Sequence, residues 1–198
     1  MIFEAALRLV DQEGIEALTM RRLAADLGVA TMSLYSHVPN KDQLLLGVVN
    51  LATSEIVLPE PGTPPWEALR VITRDFRRVA LLHPNLVPLI VRQPPTGSQG
   101  LYVLEAALDA LRRAGLGPAE AAQAYRVSAS FAIGFVSLEC GGFFKPLDFD
   151  AGEQVAPVDL SALPRIVESA PSLAKWDADA EFEAGMNLII GALTPVTE

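Results

Sequence analysis

The segment 19–41, TMRRLAADLGVATMSLYSHVPNK, predicts two short helices joined by a tight turn. Each helix has two apolar residues four positions apart on one face, Leu23 with Leu27 and then Leu34 with Val38. Gly28 follows the first helix, where a C-terminus favours a residue that tolerates positive φ. Ala24, four residues earlier, is small enough for the two helices to cross closely. This pattern is a helix-turn-helix, which indicates DNA binding.

Helical periodicity continues on both sides of this segment, and no stretch shows the alternation typical of a strand. The stretch 59–65, PEPGTPP, has four prolines and a glycine in seven residues and marks a boundary. The sequence therefore predicts an all-α protein with a helix-turn-helix head over 1–45, a linker helix over 41–58 and a body over 59–198. The other helices are expected over 2–13, 66–82, 85–92, 101–114, 118–139, 160–169 and 178–193, with a loop over 141–157.

The composition is that of a globular protein, since 51% of the 198 residues are hydrophobic and 20% are charged. No apolar run reaches the roughly 18 residues that span a bilayer. The N-terminus lacks the basic start of a signal peptide. The single cysteine, Cys140, excludes an internal disulfide and a cysteine-based zinc cluster. We therefore expect a cytoplasmic protein in which Cys140 is a small buried residue.

The net charge of −9 argues against non-specific coating of nucleic acid. Residues 1–50 carry four basic and six acidic groups, but the segment 28–41 contains no acidic residue. The helix that would face phosphates is therefore free of repulsion, although the field that attracts DNA is weak. We expect the geometry of a dimer, or a basic arm ahead of residue 1, to supply part of the affinity.

The sequence contains no HExxH, GxSxG or phosphate-binding glycine motif. Two histidines and one cysteine offer little material for nucleophilic or metal chemistry. We therefore predict that the chain is not an enzyme and has neither a cofactor nor a metal site.

Two segments, 127–138 and 182–193, are apolar on nearly every side. A helix of this kind must be buried against several neighbours, and a second copy of the chain is the simplest way to provide them. Gly134, Gly185 and Gly191 weaken these helices unless other helices approach their backbones closely. We predict a homodimer through helices 118–139 and 178–193. A buried central helix in a monomer is the alternative.

Residues on the outer face of the second helix of the motif are the candidates for DNA contacts. Short side chains that could read bases are Thr31, Met32, Ser33 and Ser36. Thr31 could also be a helix N-cap. Tyr35 and Lys41 are placed to bind phosphates, as is His37 unless it packs against the helix end. Arg21 is the long donor that could make a bidentate guanine contact.

A ligand pocket is predicted between the helices at 66–82, 85–92, 101–114 and 118–139. The residues expected to line it are Phe76, Leu86, Ile90, Leu104, Leu108, Tyr125, Ser128, Ala132, Phe135 and Glu139. This set is mostly apolar with a few polar groups, as small-molecule pockets are. The same set would also suit an ordinary hydrophobic core.

The stretch 18–45, LTMRRLAADLGVATMSLYSHVPNKDQLL, resembles the DNA-binding signature of the TetR family of bacterial transcriptional repressors. The features are LAxxLGV followed by LYxHVxNK, a form similar to the tetracycline-repressor branch. The resemblance implies nine to ten helices, of which the first three form the DNA head. The positions that match DNA contacts in the tetracycline-repressor branch are those of Thr19, Arg21, Thr31, Met32, Ser33, Tyr35, His37 and Lys41.

The resemblance also implies a dimeric repressor that a small molecule releases from its operator, with helix 41–58 as the only element joining head and body. Tetracycline with magnesium is not the expected effector, because the body has a single histidine, His83. An apolar or aromatic compound is expected instead. The alternatives are an all-α ligand-binding dimer without DNA binding and a small enzyme.

Overall fold

The computed structural model describes residues 1–92, 97–144 and 159–194. These residues form α-helices, three short 3₁₀ turns and no strand, so the predicted all-α class is confirmed. The helices are α1 (Ile2–Glu13), α2 (Met20–Asp26), α3 (Thr31–Tyr35), α4 (Lys41–Thr53), α5 (Pro65–Leu82), α6 (Val87–Arg92), α7 (Ser98–Arg113), α8 (Pro118–Cys140), α9 (Pro164–Leu173) and α10 (Ala178–Leu193). None of the helices in the described part is long and apolar enough to cross a membrane.

Polar side chains cap the helices that position the head. The Thr19 hydroxyl accepts the backbone N–H of Arg22 at 3.1 Å, which starts α2. The Asn40 side chain accepts the N–H of Gln43 at 2.8 Å, which starts α4. Such caps satisfy N–H groups that have no partner within the helix. The ends of α2 and α4 are therefore set by local sequence.

Three predicted helices have a bound that differs from the structure by three residues or more. Helix α4 ends at Thr53 instead of residue 58, because the backbone N–H of Val57 turns away to donate to Asp75 on α5 at 2.6 Å. Helix α7 begins three residues before the predicted start. Helix α9 is displaced towards the C-terminus and contains Pro171. Most of the predicted loop 141–157 lies outside the described residues.

The hydrophobic core of the head continues into the body. Leu23, Leu34 and Val48 are fully or almost fully buried in one cluster, which also contains Leu86 from beyond the proline-rich stretch. A second cluster holds α5, α7, α8 and α10 together around residues such as Phe182. Apolar burial on this scale is the main stabilising contribution to each cluster.

Helix α1 also contacts the body, through polar groups. The prediction that helix 41–58 is the only connection between head and body is therefore wrong. The Asn85 side chain donates to the backbone oxygens of Val10 at 2.9 Å and Asp11 at 3.2 Å. His83 Nδ1 lies 3.0 Å from Asp11 Oδ2. On its other side, His83 Nε2 lies 3.4 Å from Glu55 Oε1 without hydrogen-bonding geometry. Two separate elements can therefore transmit a movement between body and head.

Candidate DNA-binding face and ligand cavity

The turn between α2 and α3 fixes how α3 stands on the head. Gly28 has a φ of +67°, a conformation that side chains with a Cβ rarely adopt. The N–H of Val29 donates to the Ala24 oxygen at 3.0 Å and closes the end of α2. Ala24 and Leu34 are 1% exposed, so α3 is held against α2 by its inner side. Its outer side is consequently presented to solvent.

The outer side of α3 carries the predicted base readers. Met32 is 78% exposed, which is unusual for a large apolar side chain and suits a surface that a partner covers. Thr31 is not the N-cap, since Ala30 occupies that position. Ser36 donates its hydroxyl hydrogen to the Ser33 oxygen at 2.6 Å, which leaves the hydroxyl oxygen able to accept. Both serines are exposed.

The groups predicted to bind phosphates flank this face. Tyr35 is 42% exposed and Lys41 is exposed at the first position of α4. His37 is also exposed, which contradicts the alternative of a packed histidine. Thr19 lies at the start of α2 and uses its hydroxyl as a cap.

The two neighbouring arginines of α2 have different roles. Arg22 is paired with Glu13 at 2.7 Å and with Asp26 at 3.2 Å, so its charge is locally neutralised. Arg21 is exposed and has no ion pair within the described residues. The arginine available for a base contact is therefore Arg21, as predicted from its position.

A cavity of about 150 Å³ lies between α4, α5, α7 and α8. Five of the predicted pocket residues line it, namely Phe76, Ile90, Tyr125, Ser128 and Ala132. The remaining lining residues are Leu46, Val49, Asn50, Thr53, Ile56, Leu69, Ile72, Thr73, Gly97, Gly100, Val103, Ala107, Ala129 and Ile133.

Five predicted pocket residues lie elsewhere and are removed from the candidate site. Leu86 is fully buried in the core of the head. Helix α7 turns Val103 and Ala107 towards the cavity, so Leu104 and Leu108, one position further along, face away from its wall.

The other two belong to a packed cluster at the far end of α8. The Phe135 ring lies 5.3 Å from that of Phe182 in an edge-to-face arrangement. Both oxygens of Glu139 accept from Arg77, at 2.6 and 2.8 Å, which makes a bidentate pair between α8 and α5. Phe135 and Glu139 therefore stabilise the body and do not line the cavity.

The contribution of α4 to the cavity is the part that sequence reasoning missed. Helix α4 contributes Leu46, Val49, Asn50 and Thr53, and Ile56 follows from the segment after the helix. A signal was present, because the apolar residues of this segment, among them Leu44, Leu46 and Val49, lie on more than one face of a helix. Apolar residues on two faces indicate burial against two neighbours.

The cavity is uncharged and weakly polar. None of the described residues that line it is Asp, Glu, Lys, Arg or His. Ser128 is 1% exposed, and its hydroxyl has no hydrogen-bond partner among the residues that the structure describes. Burial raises the pKa of the Tyr125 phenol, so this side chain remains neutral at physiological pH.

The described residues contain no group of three or more His, Cys, Asp or Glu side chains arranged to hold a metal ion. Cys140 was expected to be buried, but it is only half-buried. Burial, and then the neighbouring Glu139 charge, raise the pKa of its thiol. Cys140 is therefore poorly suited to act as a thiolate nucleophile.

Two family profiles match the chain. "Bacterial regulatory proteins, tetR family" matches residues 2–48, and "Tetracyclin repressor-like, C-terminal domain" matches residues 58–196. An HTH-type transcriptional regulator of Saccharopolyspora erythraea is 34% identical over 139 residues, which are 70% of this chain and 59% of that relative. The chain thus spans less than two thirds of that relative's length.

Two further proteins match nearly the whole chain. The class A tetracycline repressor from transposon 1721 of Escherichia coli is 29% identical over 196 residues, covering 97% of this chain and 88% of the repressor. The crystal structure of the TetR family protein ActR of Streptomyces coelicolor in complex with actinorhodin has a TM-score of 0.81 and 31% identity. It covers 97% of this chain and 94% of ActR. The chain therefore belongs to the TetR family of bacterial regulatory proteins, whose members are transcriptional regulators and not enzymes.

Proposed function

We propose that the chain is a cytoplasmic homodimeric repressor that binds operator DNA through α3. A small, largely apolar molecule in the cavity between α4, α5, α7 and α8 releases it from the DNA. Residues 1–45 are the DNA-binding head, α4 is the linker, and residues 59–198 are the effector-binding and dimerisation body.

The position of α4 is the observation that carries this proposal. Lys41 stands at the DNA end of α4, while Asn50 and Thr53 line the cavity from the same helix. Thirteen residues of α-helix make a rod about 20 Å long. A ligand that displaces the cavity end of this rod also displaces the phosphate contact at its other end. Ligand binding would thereby change the separation of the two heads in a dimer.

The DNA contacts are divided between two sets of residues. Bases are read by Arg21 and by the exposed side of α3, through Thr31, Met32, Ser33 and Ser36. Thr19, Tyr35, His37 and Lys41 bind the phosphate backbone, which fixes position but carries no sequence information. All of these residues are exposed except Thr31, which is half-buried, so both sets are accessible to DNA.

The dimer interface lies on the outer faces of α8 and α10. Val127 on α8 is 48% exposed and Leu188 on α10 is 77% exposed, which is unusual in two such apolar helices. Gly134 and Gly191 have open space where a Cβ would lie, so close helix approach by a second chain explains them best. Gly185 differs, because a Cβ there would overlap the Phe131 ring of the same chain.

A gel shift with the DNA upstream of its own gene tests the DNA-binding part. We expect a retarded complex at low salt that the double variant Arg21→Ala/Tyr35→Ala abolishes. Arg165→Ala is the matched control, since Arg165 is an exposed arginine on α9 whose ion pair within the described part of the chain is with Glu168. Unchanged affinity in the double variant, or no complex with the wild type, would contradict the proposal.

A ligand-binding dimer that has lost DNA binding is the second candidate function. It is motivated by the head, where six acidic groups outnumber four basic ones in residues 1–50. This candidate predicts ligand binding in the cavity together with no retarded complex at any salt concentration.

A further inference from the structure

We propose that the cavity selects an uncharged aromatic compound carrying one hydrogen-bonding group, and that the Ser128 hydroxyl recognises this group. The buried part of the ligand is about the size of one substituted ring. This inference rests on the proposed function, because it names the ligand class of the same cavity.

The described residues that line the cavity carry no charge. The described lining residues provide no cation for a carboxylate and no anion for an amine. An ion buried without a partner costs several kcal/mol, even after the protein relaxes. The nearby cation Arg77 is already held in its bidentate pair with Glu139 and also pairs with Asp179 at 2.7 Å. The cavity therefore discriminates against ionised ligands.

Two threonines of the cavity wall already use their hydroxyls, and the polar groups of Asn50 and Tyr125 belong to partly exposed residues, unlike that of Ser128. The Thr53 hydroxyl donates to the Val49 oxygen at 2.9 Å. The Thr73 hydroxyl donates to the Leu69 oxygen at 3.0 Å. Ser128 makes no such bond, although serines in helices commonly bond to the preceding turn.

The missing bond identifies what the ligand supplies. A buried hydroxyl without a partner is unfavourable, and a complementary group on a ligand removes that cost. Ser128 is 1% exposed, so bulk water does not satisfy it. A hydroxyl, carbonyl or amide on the ligand can pair with it, whereas a hydrocarbon cannot. Ser128 is thus a specificity determinant for one polar atom.

The volume of the cavity indicates the size of the ligand, and the shape of its wall indicates that the ligand is aromatic. A cavity of about 150 Å³ corresponds to the engineered apolar cavity that binds benzene. Phe76 on α5 and Tyr125 on α8 supply aromatic rings to the wall. Aromatic pairs prefer offset or edge-to-face contact, which favours a flat ligand between these helices.

Calorimetry at pH 7 with three probes that share a methyl-substituted benzene ring tests the proposal: toluene, p-cresol and p-toluate. We expect p-cresol to bind the wild type about tenfold more tightly than toluene, which is the range of one net hydrogen bond. We expect no measurable binding of p-toluate, because its carboxylate is ionised. In Ser128→Ala, toluene should bind as before while p-cresol loses its advantage.

Thr73→Val is the matched control, since it removes a buried hydroxyl that already has a partner in the chain. The ratio of p-cresol to toluene affinity should remain at its wild-type value in this variant. The proposal is overturned if p-toluate binds as tightly as p-cresol, if Ser128→Ala leaves the ratio unchanged, or if none of the three probes binds.

The same protein samples are used in the gel shift, which separates this inference from the proposed function. DNA binding without probe binding would remove the ligand class and leave the DNA-binding role intact. Probe binding with the Ser128 pattern but without a DNA complex would sustain the ligand class and remove the repressor.

Discussion

Lys41 occupies a position where its charge is unfavourable for the stability of the helix, which indicates a functional role. A cation at the first position of a helix opposes the helix dipole and is mildly destabilising there. Lys41 is exposed and forms no ion pair within the described residues. Asp42 in the same turn favours the dipole and offsets part of this cost. A phosphate beside the start of α4 would offset the rest.

Replacing Lys41 with Gln should weaken DNA binding by the same factor for specific and unrelated sequences. Each phosphate contact contributes about 0.9 to the slope of log affinity against log salt concentration, so the slope should become shallower by about 0.9. Anisotropy titrations between 50 and 200 mM salt measure it. Arg165→Gln on α9 is the control and should change neither quantity. A slope that stays at the wild-type value in Lys41→Gln would show that Lys41 contacts no phosphate.

Asp75 gives a residue-level prediction about pH. Its carboxylate accepts from Arg78 at 2.6 Å and from the Val57 N–H at 2.6 Å. The hydrogen bond from Arg78, and then that from Val57, lower the pKa of Asp75 against the effect of burial. Because folding lowers this pKa, the contribution to stability is fully present above the unfolded value near 3.9. It is lost as the pH falls through the folded value.

Asp75→Asn should therefore lower the free energy of unfolding at pH 7 by about 1 to 2 kcal/mol. The difference from wild type should shrink when the pH is lowered to about 3. Urea unfolding at both pH values measures it. Asp109→Asn removes an exposed pair with Arg113 and should change stability little at either pH. An equal deficit of Asp75→Asn at both pH values would contradict the assignment.

At the scale of elements, local signals predicted the helices well and tertiary contacts displaced the exceptions. The bounds of α10 agree with the prediction, since Asp177 caps its start through the Ala180 N–H at 3.0 Å. Helix α4 ends early because the Val57 N–H donates to Asp75. These two residues are 18 positions apart in sequence, and such a contact has no local signal. The same limit applies to Leu86, whose apolar character did not reveal which core it joins.

The residues of the cavity also divide into those that local spacing predicted and those that depend on tertiary packing. Spacing on α8 correctly brought Tyr125, Ser128 and Ala132 to one wall. The spacing could not show that Glu139 forms an ion pair with Arg77 on α5, because this pair depends on how α5 and α8 pack. Nor could it show that Ser128 lacks a partner, which requires coordinates.

The contact between α1 and the turn 84–86 is an element-level feature that can be tested separately. Asn85→Ala removes the donor to the Val10 and Asp11 oxygens at the end of α1. We expect a loss of about 0.5 to 1.5 kcal/mol in unfolding free energy, because both carbonyls lose the Asn85 donor while the Val10 oxygen keeps the Gly14 N–H at 2.8 Å. Hydrogen exchange should accelerate in α1 more than in α8.

The matched control for this variant is Gln12→Ala, which changes an exposed amide side chain on α1 itself. It should leave the exchange rates and the stability close to wild type. If Asn85→Ala accelerates exchange evenly through α1 and α8, the contact is not a specific connection between head and body.

At the scale of the whole molecule, the outer face of α8 and α10 predicts the state of assembly. Leu188→Glu places a charge on the most exposed leucine of α10. A buried, unpaired charge in an interface is strongly unfavourable, so the mass in light scattering should fall to half of the wild-type value. Leu101→Glu on α7, where the leucine is 52% exposed, should keep the wild-type mass. A Leu188→Glu protein that stays dimeric would move the interface elsewhere.

In the proposed repressor, the acidic balance of the molecule makes the engagement of both heads necessary. With a net charge of −9, the chain gains little from the general attraction of DNA, and one head offers few cations. Two heads that engage together raise the overall affinity without any new contact. Helix-turn-helix dimers address half-sites about 34–36 Å apart, or a multiple of this distance, on one side of the duplex.

The most direct test is therefore to change the separation of the half-sites in the DNA protected upstream of the chain's own gene. Inserting five base pairs between the half-sites turns one of them about half a helical turn away from the other. We predict that the affinity of the dimer falls to that for unrelated DNA, while substitutions outside the half-sites leave it unchanged. An affinity that is unaffected by the insertion, or the absence of any protected site, would contradict operator binding by a dimer through α3.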